Sequence, residues 1–151
     1  MTRPVIDANI EVHSRMAATY NTSEPHFRPE NQAKVRERLE TVRRRAPGGL
    51  MLDLGCGTGF LIHLGIDLFD EIQGVDITQA MIDQVDTSTG RVHVQLSPAE
   101  KTPFDDESFD VVTAYSFIHH TEDYSLILKE AARVLKPGGI LYVDLEPNRR
   151  F

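Results

Sequence analysis

The sequence predicts an α/β domain, a Rossmann-like three-layer sandwich around a mostly parallel sheet. Three observations carry that expectation. From Leu50 onward, short apolar runs alternate with stretches of helical periodicity. Several of the runs read as almost continuously apolar, the pattern of strands buried on both faces of a parallel sheet. The first run leads straight into "LDLGCGTGF", Leu52 to Phe60, a glycine-rich turn where the chain would pass from strand to helix.

The elements follow in order. "NIEVHSRMAATY" reads as a short helix, and "YNTSEPHFRPEN" as a break with two prolines and several turn formers. Asn31 to Arg45 reads as a longer helix stopped by the "PGG" at 47–49. "GLMLDLG" is the first strand and "GFLIHLGIDLF" the helix after it. "IQGVDI" is the second strand and "TQAMIDQVDT" the second helix, with Thr78 placed to cap it. "RVHVQL" and "FDVVTAYS" are strands three and four, and "EDYSLILKEAARVL" a helix. "KPGG" makes a turn before a fifth strand, "ILYVDLE". Right-handed crossovers would make this a doubly wound sheet covered on both faces. Residues 1–49 read as a helical cap and 50–151 as the core, within one compact domain.

Composition bounds the function. The chain has 151 residues, 40% of them hydrophobic and 26% charged, which fits a soluble globular domain. No apolar run is long enough to span a membrane, and the start lacks the pattern of a secretory signal. Cys56 is the one cysteine, so no intrachain disulfide forms and a cytoplasmic location is expected. The net charge of -7 is uneven: residues 1–50 hold nine Lys/Arg against six Asp/Glu, the rest seven against seventeen. So acidic a body argues against nucleic acid. The basic stretch "KVRERLETVRRR" reads as the solvated side of a helix with Val35, Leu39 and Val42 turned inward.

The glycine turn discriminates among ligands. A missing side chain admits unusual backbone angles and lets a ligand approach the chain, and a helix that follows turns its amides toward the site. A triphosphate loop needs a Lys after its glycines, and none follows here. A dinucleotide loop needs a small residue where this chain has Phe60. A third class places an acidic residue before G-x-G-x-G, and Asp53 with Gly55, Gly57 and Gly59 matches it.

"LDLGCGTG" resembles motif I of the class I S-adenosylmethionine-dependent methyltransferases, in the ubiquinone-biosynthesis-like branch. "VDIT", "SPAEKTPFDDESFDVV" and "SFIHHTEDYSLILKEAARVLKPGGILYVDLE" resemble the family's later motifs, in order, across about residues 50–146. The resemblance implies an enzyme that moves a methyl group from S-adenosylmethionine to a small-molecule acceptor, without a metal, leaving S-adenosylhomocysteine. It implies that Asp53, Gly55, Gly57 and Gly59 cradle the methionine end, with Cys56 adding backbone contacts. Asp76 would hold the ribose hydroxyls, Ile77 would pack on adenine, and Ala99 and Glu100 would border it. Pro98 stands where the branch often has an acid that accepts from the adenine amino group.

Tyr115 and Ser116 would lie near the sulfonium. Tyr20 is read either as a lid over the cofactor or as an ordinary packed aromatic. Arg15 either reaches the cofactor carboxylate or is a solvated surface residue. His120, in the pair His119–His120, is read as site-shaping or as a proton acceptor. His26 and His63 carry no motif. The family core also has a C-terminal strand hairpin that this sequence lacks. Its absence leaves "ILYVDLE" as an edge strand, expected to be covered by a second copy or a partner, or to mark a truncated protein. The alternative function is a module that binds the cofactor without catalysis of its own.

Overall fold

The computed structural model describes residues 3–23 and 27–144. Five strands form one sheet in the order β3-β2-β1-β4-β5: β1 Leu50–Leu54, β2 Glu71–Asp76, β3 Val92–Leu96, β4 Phe109–Tyr115 and β5 Leu135–Asp144. Every pair is parallel. The order reverses between β1 and β4, so the crevice beyond their carboxyl ends is the topological switch point where such sheets take ligands.

Side-chain alternation divides the core. Met51 and Val111 point to one face and join Ile62, Ile72 and Val92. The same cluster takes Val35 and Leu39 from helix α3, Pro29–Arg45, as the helical periodicity of the basic stretch predicts. Leu52, Leu54 and Val112 point to the other face and meet Ile127, Ala131 and Val134 of α6, Tyr124–Val134. Asp123 caps α6, accepting from the Ser125 amide at 2.9 Å. A cap of this kind contributes about 1 kcal/mol.

Helix boundaries depart from the sequence expectation in ways that have local causes. α1 begins earlier, at Arg3, and ends at Met16. The Thr19 amide bonds back to the Met16 carbonyl at 3.0 Å, tightening the chain into a turn before the short α2, Tyr20–Ser23. α4 spans only Phe60–Gly65, because the Leu68 and Phe69 amides both converge on the Gly65 carbonyl. α5 spans only Gln79–Ile82. Thr78 does hold its N-cap position, but its side chain makes no cap bond. The nearby Asp76 carboxylate takes the Thr78 amide instead, at 2.9 Å.

Two corrections concern the sheet. "KPGG" is folded into β5, where pairing passes from Phe109–Leu135 to Val111–Ile140 and residues 136–139 bulge, with Gly138 at φ 78°. Nor is the sheet covered evenly on both faces. The β3 to β4 connection has no helix, and His93 and Gln95 of β3 are exposed. That connection is held by polar contacts: Glu130 on α6 accepts from the Thr102 amide and hydroxyl at 2.8 and 2.7 Å. Arg133 donates to the Phe104 carbonyl at 2.8 Å and pairs with Glu130 at 2.6 Å. The guanidinium, with the Thr102 donors, holds the Glu130 carboxyl down to about 2. No described helix is long and apolar enough to cross a membrane.

Candidate functional site

The turn after β1 is shaped by three glycines in left-handed backbone, with φ of 65° at Gly55, 54° at Gly57 and 93° at Gly59. They serve different neighbours. A Cβ on Gly55 would stand 2.2 Å from the Phe117 ring, so that glycine makes room for the protein's own aromatic. A Cβ on Gly57 would have only the Met81 methyl nearby, at 3.8 Å, so there the backbone lies bare toward a cavity. Gly59 is the N-cap of α4 and packs against Val85 and His63.

Two carboxylates reach the same cavity. Asp53 stands opposite Thr113 in the β1–β4 register, and the Thr113 hydroxyl donates to it at 2.7 Å. Burial pushes the Asp53 carboxyl up to about 7, the Thr113 bond opposes the shift, and the Asp76 charge adds to it. Asp76, at the end of β2, accepts from the Gly57 amide at 2.9 Å and from the Thr78 amide. Burial raises its pKa as well, against the pull of those two amides. Asp76 thus ties the glycine turn to the second strand while its carboxylate still borders the cavity.

The cavity brings together Asp53, Gly55, Cys56, Gly57, Asp76, Ile77, Tyr115, Ser116, His120 and Tyr20 from the sequence-derived set. It does not bring in Gly59, Ala99 or Glu100, which are not on the cavity wall: Gly59 packs against Val85 and His63, Ala99 in the α6-side core, and a Glu100 carboxylate oxygen is buried with no hydrogen-bond partner among the described residues. Arg15 is exposed and pairs with Glu11, one turn back, at 2.5 Å. Pro98 is exposed. His63 lies outside the cavity and accepts from the Asp86 amide at 3.2 Å, and His26 falls outside the described residues. The Cys56 thiol is buried, and burial first, then the Asp53 and Asp76 charges, holds its pKa well up, so it stays a thiol.

Aromatic rings line one wall. Phe60 lies 4.9 Å from Phe27 and 5.0 Å from Tyr115, and Tyr20 meets Phe27 edge-on at 6.1 Å. Burial, then the Asp144 charge, pushes the Tyr115 phenol up to about 12, so near neutral pH it stays protonated. Ser116, which follows, is a non-glycine residue at φ 50°. Such a conformation is uncommon, and here it turns the chain from β4 into the cavity wall.

Other contributors had no role assigned by the sequence pattern. The Thr58 hydroxyl donates to the Asn21 side chain at 2.5 Å, fastening the segment after α1 to the glycine turn. Asn9 and His13, both on α1, also line the cavity. Their spacing of four puts them on one helix face, the only signal the sequence offered. Phe117 lies within the "SFIHH" motif, where nothing local marks it as the ring that meets Gly55.

Fold and cavity together define a Rossmann-like α/β domain with a cavity over a bare glycine turn, between two acidic strand ends. The family model for a methyltransferase domain matches residues 52–143. The chain belongs to this methyltransferase family. It is 37% identical over 115 residues to the ubiquinone/menaquinone biosynthesis C-methyltransferase UbiE of Geotalea daltonii, covering 70% of this chain and 49% of that one. It is 28% identical over 160 residues to a ubiquinone biosynthesis O-methyltransferase of Bartonella tribocorum, covering 94% of this chain and 65% of that one. The chain therefore spans about half to two thirds of these relatives. Among solved structures, the YcgJ protein of Bacillus subtilis superposes with a TM-score of 0.67 at 28% identity, over 74% of this chain and 50% of that one.

Proposed function

We propose that this chain is an S-adenosylmethionine-dependent methyltransferase acting on a small-molecule acceptor. The observation that carries the reading is the convergence of Asp53, Asp76 and the bare Gly57 backbone on one cavity at the switch point. These residues fit the donor. A carboxylate is an acceptor only, so Asp76 suits a ribose diol and Asp53 a cationic ammonium group. Ile77 and Met81 give apolar surface for adenine beside Asp76.

The cofactor supplies a methyl group already activated as a sulfonium, so the protein's work is positioning and exclusion of water. Asp76 fixes the nucleoside end, and Asp53 with the glycine turn the methionine end. Tyr115 donates its phenol hydrogen, and with Phe60 makes a dry wall beside it. Tyr20, bordering the same cavity, closes the mouth. Where the acceptor must lose a proton, His120 is the cavity's imidazole from the loop after β4. The two relatives above are named for O- and C-methylation, so the acceptor atom is open to experiment.

The reading extends to a cytoplasmic enzyme, since the single cysteine is a buried thiol. It extends also to an edge-covering strand, second copy or partner at β5, where Leu141 and Val143 are exposed. Incubation with S-adenosylmethionine and a panel of phenols, hydroxyquinones and amines, followed by mass spectrometry, tests the activity. A product heavier by one CH₂ unit with matching S-adenosylhomocysteine is expected. Cofactor binding with no product from any acceptor class would favour a binding module.

A further inference from the structure

α1 is an unusual wall for a binding cavity. It has no fully buried residue, and its apolar residues Val5, Ile6, Ile10 and Met16 are only half-buried. What it does have is a polar face directed at the cavity. The Asn9 amide donates to the His120 carbonyl at 3.2 Å. One turn on, the His13 ring meets the His120 ring edge-on with centroids 5.3 Å apart. His120 is backed in turn by His119, at 4.0 Å. His13 also lies near enough to Asp76 for its charge to pull that carboxyl downward. His13 and Asp76 line the same cavity, and His13 meets the loop after β4 at His120. None of α1 falls within residues 52–143, the stretch matched to the family.

We propose that His13 is a ligand-binding residue that donates an imidazole N–H to the ribose hydroxyl oxygens of an adenosyl cofactor, opposite Asp76. His120 packs edge-on against its ring, and Asn9 fastens the helix to the His120 carbonyl. The inference rests on the adenosyl reading given above. Its chemistry is a matter of satisfying both halves of a diol. Each ribose hydroxyl is a donor and an acceptor, whereas a carboxylate only accepts. Asp76 already takes two backbone amides, and its remaining lone pairs can receive the hydroxyl protons. The hydroxyl oxygens then need a donor from the opposite side. Left without one when the cavity closes, they would weaken binding by the cost of an unmet polar group. His13 supplies the donor.

The test is calorimetric titration of the whole chain with two probes: S-adenosylhomocysteine, and the same molecule lacking both ribose hydroxyls. Wild type, His13→Ala, His13→Gln and Asn9→Ala are compared. In His13→Ala, S-adenosylhomocysteine should bind about tenfold more weakly while the dideoxy probe is unchanged. His13→Gln, which keeps an N–H donor, should recover part of the loss. Asn9→Ala, which loosens the helix without removing the donor, should weaken both probes alike. Should His13→Ala melt early, His13→Gln carries the comparison, and its two probes must still respond unequally. Equal loss of both probes in the His13 variants would reduce His13 to a prop for the helix and overturn the proposal. So would an unchanged affinity for S-adenosylhomocysteine in His13→Ala. Wild-type protein that binds neither probe overturns the adenosyl reading itself, and this inference with it.

Discussion

α1 and the glycine turn face each other across one cavity, and they are held in opposite ways. The turn is fixed by its left-handed glycines, by Phe117 against Gly55, and by Asp76 on the Gly57 amide, above β1 and β4, whose residues are nearly all buried. α1 buries no residue and meets the cavity through Asn9, His13 and, just beyond it, the Asn21–Thr58 bond. A binding site needs a preorganised floor, because affinity comes from groups already in place. It also needs a wall that can open, because a ligand must enter. The acidic strand ends supply the first and the polar helix face the second.

Breaking the floor should have the largest effect. Gly55→Ala places a Cβ into the Phe117 ring at a left-handed φ of 65°. A loss of about 2–4 kcal/mol in urea unfolding is expected, together with loss of S-adenosylhomocysteine binding. A variant of unchanged stability would show that Phe117 is not pinned where the structure places it. Asp76→Ala removes a ligand acceptor and the tie on Gly57. Its affinity for S-adenosylhomocysteine should fall about a hundredfold by calorimetry.

Asp53 gives a pH signature. Its folded pKa, about 7, lies above its ordinary value of 3.8. The folded state therefore holds the proton more tightly, and this group's contribution to stability falls as pH rises from about 4 to 7. Burial of Asp76 acts in the same direction, while His63, its pKa lowered by burial, acts oppositely as pH rises through its unfolded pKa. Asp53→Asn isolates the one group and keeps an acceptor for Thr113. The variant's melting temperature should exceed wild type at pH 8 by on the order of 5 °C more than at pH 5. A constant difference would mean that Asp53 is ionised throughout. The smallest effect belongs to the wall: Asn21→Ala frees the Thr58 hydroxyl, and should weaken S-adenosylhomocysteine about threefold with little change in melting.

The same contrast explains what the sequence made legible. The sheet and the turn are written in local patterns: apolar runs, glycines at fixed spacing, and Asp53 and Asp76 at strand ends. Phe60 counts against a dinucleotide loop, and in the structure it is the middle ring of an aromatic row. The wall depends on tertiary meetings with no local signature. Asn9 and His13 are ordinary helix residues until α1 lies beside His120. Ala99 and Glu100 could be placed only by resemblance, in a stretch where Pro98 already broke the pattern. The structure puts that stretch beside α6, with Glu130 holding Thr102. α4 and α5 are shorter than the apolar periodicity suggests because it continues through residues whose amides turn back on the Gly65 carbonyl after α4, and on the Met81 and Ile82 carbonyls after α5.

The central claim is that the two acidic strand ends and the glycine turn form one adenosyl site. Calorimetry of the wild-type chain with S-adenosylhomocysteine, alongside NAD as the competing Rossmann ligand, tests it most directly. One S-adenosylhomocysteine bound per chain, with no heat from NAD, is the predicted result. Heat from NAD and none from S-adenosylhomocysteine would contradict it.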